Sequence, residues 1–177
     1  MSLELSLMST DDKHRWIGEL GQDAEHIFNL TDYIFNSPDK YFLQVKDVSN
    51  NGERIATTAW SIFRESCTEA ELQRRLKRTF DYMWAVRSPI GARIAAELLG
   101  MRQAIIGTDP HVLLEDLDVH EQHMGRGAGR MLVEWGTARA DIWGFQAYLE
   151  ASEEQIGFYE RFFNFQYPVP DSVLLAE

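Results

Sequence analysis

The sequence predicts an α/β chain, and three observations carry that prediction. Two runs with strand character, Tyr41–Val48 and Arg54–Ile62, flank the turn-forming Ser49-Asn50-Asn51-Gly52, where Asn51 and Gly52 tolerate positive φ. A third run, His111–His120, leads into Met124-Gly125-Arg126-Gly127-Ala128-Gly129, with a glycine at every second position. A helix, a strand and another helix follow in alternation. That order sets a crossover helix between neighbouring parallel strands.

Composition bounds the answer. At roughly 100–200 residues per domain, the 177 residues form one domain, 1–177. Apolar residues make up 45 % and aromatics 12 % of the chain, enough to bury a core, so whole-chain disorder is excluded. The formal net charge is −11. Such a chain has no global attraction for a phosphate backbone, so nucleic acid is not an expected partner. The single Cys67 excludes a disulfide framework and a multi-cysteine metal cage. Residues Met1–Met8 lack a basic leader and carry Glu4, so they do not read as a signal peptide. No window reaches about 18 uninterrupted apolar residues, so no membrane partner is expected, and the expected location is cytoplasmic.

The first forty residues read as helical. Asp11-Asp12 starts one stretch carrying Trp16, Ile17 and Leu20, and Ile27, Leu30 and Ile34 line one face of a second. Ser37-Pro38-Asp39 ends it before the hairpin. Beyond the hairpin, Thr68-Glu69-Ala70-Glu71 has the capping-box pattern, in which each side chain satisfies an orphan amide. Leu72, Leu76, Phe80, Met83 and Trp84 then form a core-facing stripe. Arg74, Arg75, Lys77 and Arg78 are the one dense basic run, either a solvated helix face or an anion-binding edge. Pro89 opens another helix with Ile90, Ile94, Leu98 and Met101 inside. After the glycine loop, Met131, Leu132, Trp135, Ala138 and Ile142 mark the apolar side of a helix. Gln146–Ala151 reads as a strand and Glu153–Phe163 as a helix, while Phe165–Tyr167 and Ser172–Leu175 read as extended.

Glycines between a strand end and a helix start let a ligand approach the backbone closely. The unpartnered first amides of the helix, together with its dipole, suit a pyrophosphate. Arg126 and Arg130 add positive charge there. Neither common nucleotide motif matches. The dinucleotide fingerprint needs Gly-x-Gly-x-x-Gly on an early strand, and the P-loop needs Gly-Lys-Ser/Thr.

The segment Leu117–Leu132 resembles the acetyl-CoA signature of the GNAT family of N-acetyltransferases, in wording closest to fungal members. Tyr148-Leu149-Glu150-Ala151-Ser152 and Phe158-Tyr159-Glu160-Arg161-Phe162 resemble that family's fifth strand and following helix. The clear resemblance spans 111–167. It implies a mostly antiparallel central sheet with a splayed pair of parallel strands and flanking helices, its first strand missing or reduced to Leu3–Met8. It also implies acetyl-CoA as co-substrate, bound by the loop Met124, Gly125, Arg126, Gly127, Ala128, Gly129 and Arg130. The pyrophosphate would rest on the amides of Arg126–Gly129 and the pantetheine arm on the backbone of Leu117 and Val119. Ser152 stands where the family commonly has a pantetheine-binding Asn, and Met124 where it usually has Gln or Arg. Asn164 replaces the usual glycine after the last helix and can take the left-handed cap. Tyr159 occupies the place of the acid that protonates the departing thiolate.

A base must also take a proton from the attacking amine. Glu115, Asp116, Asp118 and Glu150 are candidates, with Glu115 favoured. Strict alternation puts Glu115 on the face of Leu117 and Val119, with Asp116 and Asp118 opposite, unless a bulge intervenes. His111, His120 and His123 raise the question of a zinc site. Surface histidines are the preferred reading, since no pair sits on a defined helix face, and no metal is expected. The function expected is acetyl transfer to an amine of a small molecule or protein, an acceptor that the acidic balance would suit if cationic. The alternative is a scaffold of this kind that binds a small molecule or partner without acetylating it, or another biosynthetic activity in the same cleft.

Overall fold

A computed structural model describes residues 2–19, 31, 33–82, 89–163 and 165–166. One five-stranded sheet organises them, in the order β1 (Leu3–Leu7), β2 (Lys40–Asp47), β3 (Glu53–Phe63), β4 (His111–Val119) and β5 (Gln146–Leu149). The first three pairings are antiparallel, and β4 with β5 is parallel. The helices are α1 (Thr10–Glu19), α2 (Glu69–Tyr82), α3 (Pro89–Ile105), α4 (Ala128–Trp143) and α5 (Glu153–Phe163). The reduced first strand is therefore present, five residues long.

Local chemistry explains much of this. Asn51 at φ 55° and Gly52 at φ 72° turn β2 into β3. Thr68 Oγ1 accepts from the Glu71 amide at 3.2 Å and starts α2. The Glu71 carboxylate does not complete the capping box, because it pairs with Arg74 and Arg75 instead. Gly144 at φ 68° ends α4, its amide donating to Ala140 and Asp141 carbonyls.

Two layers cover the sheet. On one face Leu43, Val45, Trp60, Ile62, Val112 and Leu114 meet Leu132, Val133 and Ala140 of α4 and Tyr159 of α5. Trp60 is fully buried and donates from Nε1 to the Leu132 carbonyl at 3.1 Å. A Cβ on Gly136 would come within 2.3 Å of that ring, so only glycine lets helix and sheet close here. This contact fixes the roll of α4. Ile142, expected on its apolar side, is 77 % exposed as a result, and Ala138 is exposed too.

A second cluster joins Met8, Ile17, Tyr33 and Ile34 to Phe42 and Ala59. A third, Leu72, Leu76 and Leu99, closes α2 on α3, the two helices inserted between β3 and β4. Of the expected features, Leu20, Ile27, Leu30, Met83, Trp84, Asn164 and the extended segment from Tyr167 onward lie outside the described residues, as do the side chains of Arg78, Phe80, Ile90 and Ile94.

Candidate active site

The parallel pairing of β4 with β5 is short. It runs from His111–Gln146 to Leu114–Leu149, while β4 continues to Val119. The β5-side edge of Glu115–Val119 is thereby left without a strand partner among the described residues. His120 donates its amide to Ile55 of β3 at 3.0 Å. Antiparallel alternation then turns the N–H and C=O groups of Leu117 and Val119 away from β3, into the gap. Both side chains remain packed on the α4 face.

A bulge opens the gap's inner end. Ala59 pairs with Asp116 and Trp60 with Leu114, so Glu115 is the extra residue. This overturns the alternation expected from sequence. Glu115 lines the cavity under α2 and α3 beside Leu113, instead of sharing the face of Leu117 and Val119. Its carboxylate accepts from Tyr33 and Lys40, and from Ser61 Oγ at 2.5 Å. Burial alone would raise its pKa. The Lys40 charge and the hydrogen bonds from Lys40, Ser61 and Tyr33 outweigh burial and hold it below the ordinary carboxylate value. A carboxylate so engaged is a poor proton acceptor.

Asp116 differs. Its side chain reaches water at the gap, and its pKa is pushed up to about 6, by desolvation first and then by the charges of Asp118 and Glu115. Tyr159, on α5, is 6 % exposed. Its ring packs edge-on to Phe158 and Phe165, centroids 5.1 and 6.1 Å away. Desolvation and the nearby Asp116 charge raise its pKa, which keeps the phenol protonated. Asp116 is thus within electrostatic reach of Tyr159, and groups with shifted pKa values beside a cleft are candidates for acid–base chemistry.

The glycine loop lies at the other end of the gap. Gly125 and Gly127 have φ of 73° and 89°, and Gly127 caps α4. A Cβ on either would meet nothing within 4 Å, whereas one on Gly129 would press on Val119 Cγ2 at 3.3 Å. The loop is open outward and tight inward, as a backbone cradle for an anion should be. Met124 is 62 % exposed, and Ala128 is buried. The two loop arginines differ from each other. Arg126 is turned back onto the Asp47 carboxylate and His123, so its side-chain charge is engaged inside the protein. Arg130 stays on the exposed face of α4, 2.7 Å from Glu134 and over the Phe162 ring.

Ser152 caps α5. Its carbonyl accepts from the Gln155 amide at 2.9 Å and its amide donates to Gln155 Oε1 at 3.4 Å. His120 and His123 are ring neighbours, centroids 5.6 Å apart, while His111 is buried against Phe63. Among the described residues no three His, Cys, Asp or Glu side chains are grouped to hold a metal ion, and no helix is long and apolar enough to cross a membrane.

Sequence reasoning missed the support around Glu115, namely Tyr33, Lys40 and Ser61, and a second buried pair. Arg102 donates from Nε and Nη2 to Glu150 at 2.9 and 2.7 Å. The available signal was position, since Arg102 follows Leu98 by four residues on the inward face of α3.

Comparison with known proteins agrees with this geometry. The family model described as "Acetyltransferase (GNAT) family" matches residues 52–165, more than half of the chain. No curated protein matches in sequence. Among solved structures, an acetyltransferase from Trypanosoma brucei is 15 % identical with a TM-score of 0.58, over 98 % of this chain and 99 % of that one. Glucosamine-6-phosphate N-acetyltransferase from Arabidopsis thaliana is 14 % identical with a TM-score of 0.57, over 99 % and 100 %. The structure of AAC(6')-Iy in complex with the bisubstrate analogue CoA-S-monomethyl-acetylneamine is 12 % identical with a TM-score of 0.56, over 100 % and 98 %. At these identities the structures establish the shared mixed α/β fold. With the family match, the conclusion is that this chain belongs to the GNAT acetyltransferase family.

Proposed function

We propose that the chain, as one domain over 1–177, moves an acetyl group from acetyl-CoA to an amine by direct attack within a ternary complex. The observation that carries the reading is the gap where pairing ends at Leu114 and Leu149, with the open loop at one end and Asp116 and Tyr159 beside it. The loop amides from Arg126 to Gly129 would hold the pyrophosphate, with Met124, Gly125 and Arg130 around them. The backbone of Leu117 and Val119 would hold the pantetheine arm. Ser152 stands at the edge of that path.

Asp116 takes the role of base in this reading. It removes a proton from the amine as the nitrogen attacks the thioester carbonyl, and Tyr159 protonates the sulfur as the C–S bond breaks. Glu115, favoured on sequence, becomes a positioning residue, because its hydrogen bonds to Tyr33, Lys40 and Ser61 fix the bulge that aims Asp116. Holding both reactants in one cleft supplies much of the acceleration. The fungal likeness of the loop wording and a cytoplasmic location belong to the same proposal.

A scaffold that binds without acetylating is the second reading. It is favoured by the turned-back Arg126 and by the use of Ser152 as a helix cap. Incubation with acetyl-CoA and a panel of small-molecule and peptide amines separates the two. Acetylated product matching released CoA thiol supports transfer. Binding of acetyl-CoA with no product from any amine supports the scaffold.

A further inference from the structure

The chain spends residues 64–110 on the connection between β3 and β4, and α2 and α3 make up most of its described residues. Under them, against the inner half of β4, lies a cavity of about 300 Å³, at the small end of the range for ligand pockets. Phe63, Leu72, Leu76 and Leu113 give it apolar walls, and Glu115 closes the end nearest the bulge. The bidentate Arg102–Glu150 pair ties α3 to the chain one residue beyond the end of β5. The cavity is thus anchored where the strands part.

Its charges mostly cancel. Lys40 is paired with Glu115 and Arg102 with Glu150, side chains 8 to 17 % exposed. His111 adds no charge, since burial lowers its pKa and Nδ1 faces the Asp109 carbonyl at 2.7 Å. Arg74 and Arg75 share Glu71. Three polar groups remain. Arg75 gives only Nε to Glu71, at 3.3 Å, and lies 4.5 Å over the Phe63 ring, so its two terminal nitrogens have no partner among the described residues. Asp39 lines the cavity outside any ion pair among those residues. Ser37 Oγ, also in the lining, is buried without a hydrogen-bond partner among the described residues. Buried polar atoms are rarely left so. Two terminal guanidinium nitrogens, a carboxylate outside any such ion pair and an unpartnered hydroxyl complement a zwitterionic head.

The distance to the chemistry also fits. The Asp39 carbonyl accepts from Ile62, which pairs with Val112, three residues before Glu115. Three residues of strand span roughly 10 Å, which an extended diamino acid bridges once a hydrogen bond of about 3 Å is added at each end. We infer that this cavity is the acceptor pocket and takes a free diamino acid. Arg75 and Ser37 receive its carboxylate, Asp39 its α-ammonium group and the apolar walls its stem, with the terminal amine delivered beside Asp116. The inference rests on the proposed transfer reaction and names its acceptor. The −11 net charge does not govern it, because a pocket's field is local.

The test compares acceptors that differ by one group. The set is L-lysine and L-ornithine, cadaverine without the carboxylate, 6-aminohexanoate without the α-amine, and an Nα-acetyl-lysine amide standing for a lysine within a protein. Acetylation at the terminal nitrogen of L-lysine or L-ornithine should exceed all three controls at least tenfold in kcat/KM. R75Q should bring that preference over cadaverine close to unity, and D39N the preference over 6-aminohexanoate. Equal or better turnover of cadaverine or the blocked amide by the parent protein overturns the inference, and needs no variant. Calorimetric binding of L-lysine without acetyl-CoA keeps the two readings apart. Arg75-dependent lysine binding with no acetyl transfer retains the pocket and removes the reaction. Transfer to other amines with no lysine binding retains the reaction and removes the pocket.

Discussion

Asp116 offers a direct handle on the chemistry. Its pKa is pushed up to about 6 from an ordinary 3.8, with desolvation first and the charges of Asp118 and Glu115 next. A base works only when ionised, so kcat/KM should rise with pH through about 6. One unit below that, about a tenth of the protein carries the carboxylate and the rate should be about tenfold lower. An acceptor amine also loses a proton as pH rises, so the limb alone does not identify its owner. Asp118→Asn does, because removing a repelling charge lowers the Asp116 pKa and moves the limb to lower pH, whereas an amine limb would stay. Asp116→Asn should remove the limb and slow turnover by roughly 10²–10⁴-fold, the usual worth of a positioned base. Release of CoA thiol, followed from pH 5 to 8, reads all three proteins. If Asp116→Asn keeps both the limb and the rate, Asp116 is not the base. The stability sign runs the other way. A carboxyl whose folded pKa is raised binds extra protons in the native state, so its contribution is present below 3.8 and lost as pH rises through about 6.

Three substitutions test other parts of the site. Tyr159→Phe removes only the hydroxyl, so thermal stability and acetyl-CoA affinity should change little while kcat falls by roughly 10²–10⁴-fold; normal turnover would assign the acid to water or another group. Gly127→Val puts a β-branched residue at φ 89° in a loop whose outer side is open, and acetyl-CoA affinity should drop more than tenfold, about 1.4 kcal/mol. Unchanged affinity in a folded variant removes the loop from the site. Gly136→Ala drives a methyl into the Trp60 ring, and urea unfolding should show a loss of about 1–3 kcal/mol despite the helix-propensity gain.

The parts of the fold legible in the sequence are those decided locally. The Asn51-Gly52 turn, the Thr68 cap and the alternate glycines before α4 each carry their conformation in a few adjacent residues. The parts that were not legible depend on partners far along the chain. Glu115 left its expected face because β3 and β4 slip by one residue opposite Trp60, a register event no periodicity within β4 announces. Arg126 turned inward to meet Asp47, 79 residues away. The buried face of α4 was set by Gly136 against Trp60 and not by its largest apolar residues, which is why Ile142 lies in solvent. Glu150, a candidate base on sequence, is instead held by Arg102, 48 residues away.

Direct transfer is tested most squarely with isotopically labelled acetyl-CoA, following the label in intact protein and in small-molecule product during a single turnover. We expect the label to pass to the amine only when both substrates are present, in step with released CoA, while the mass of the protein stays unchanged. Label retained on the protein, or CoA released without acetylated amine, would contradict transfer in a ternary complex.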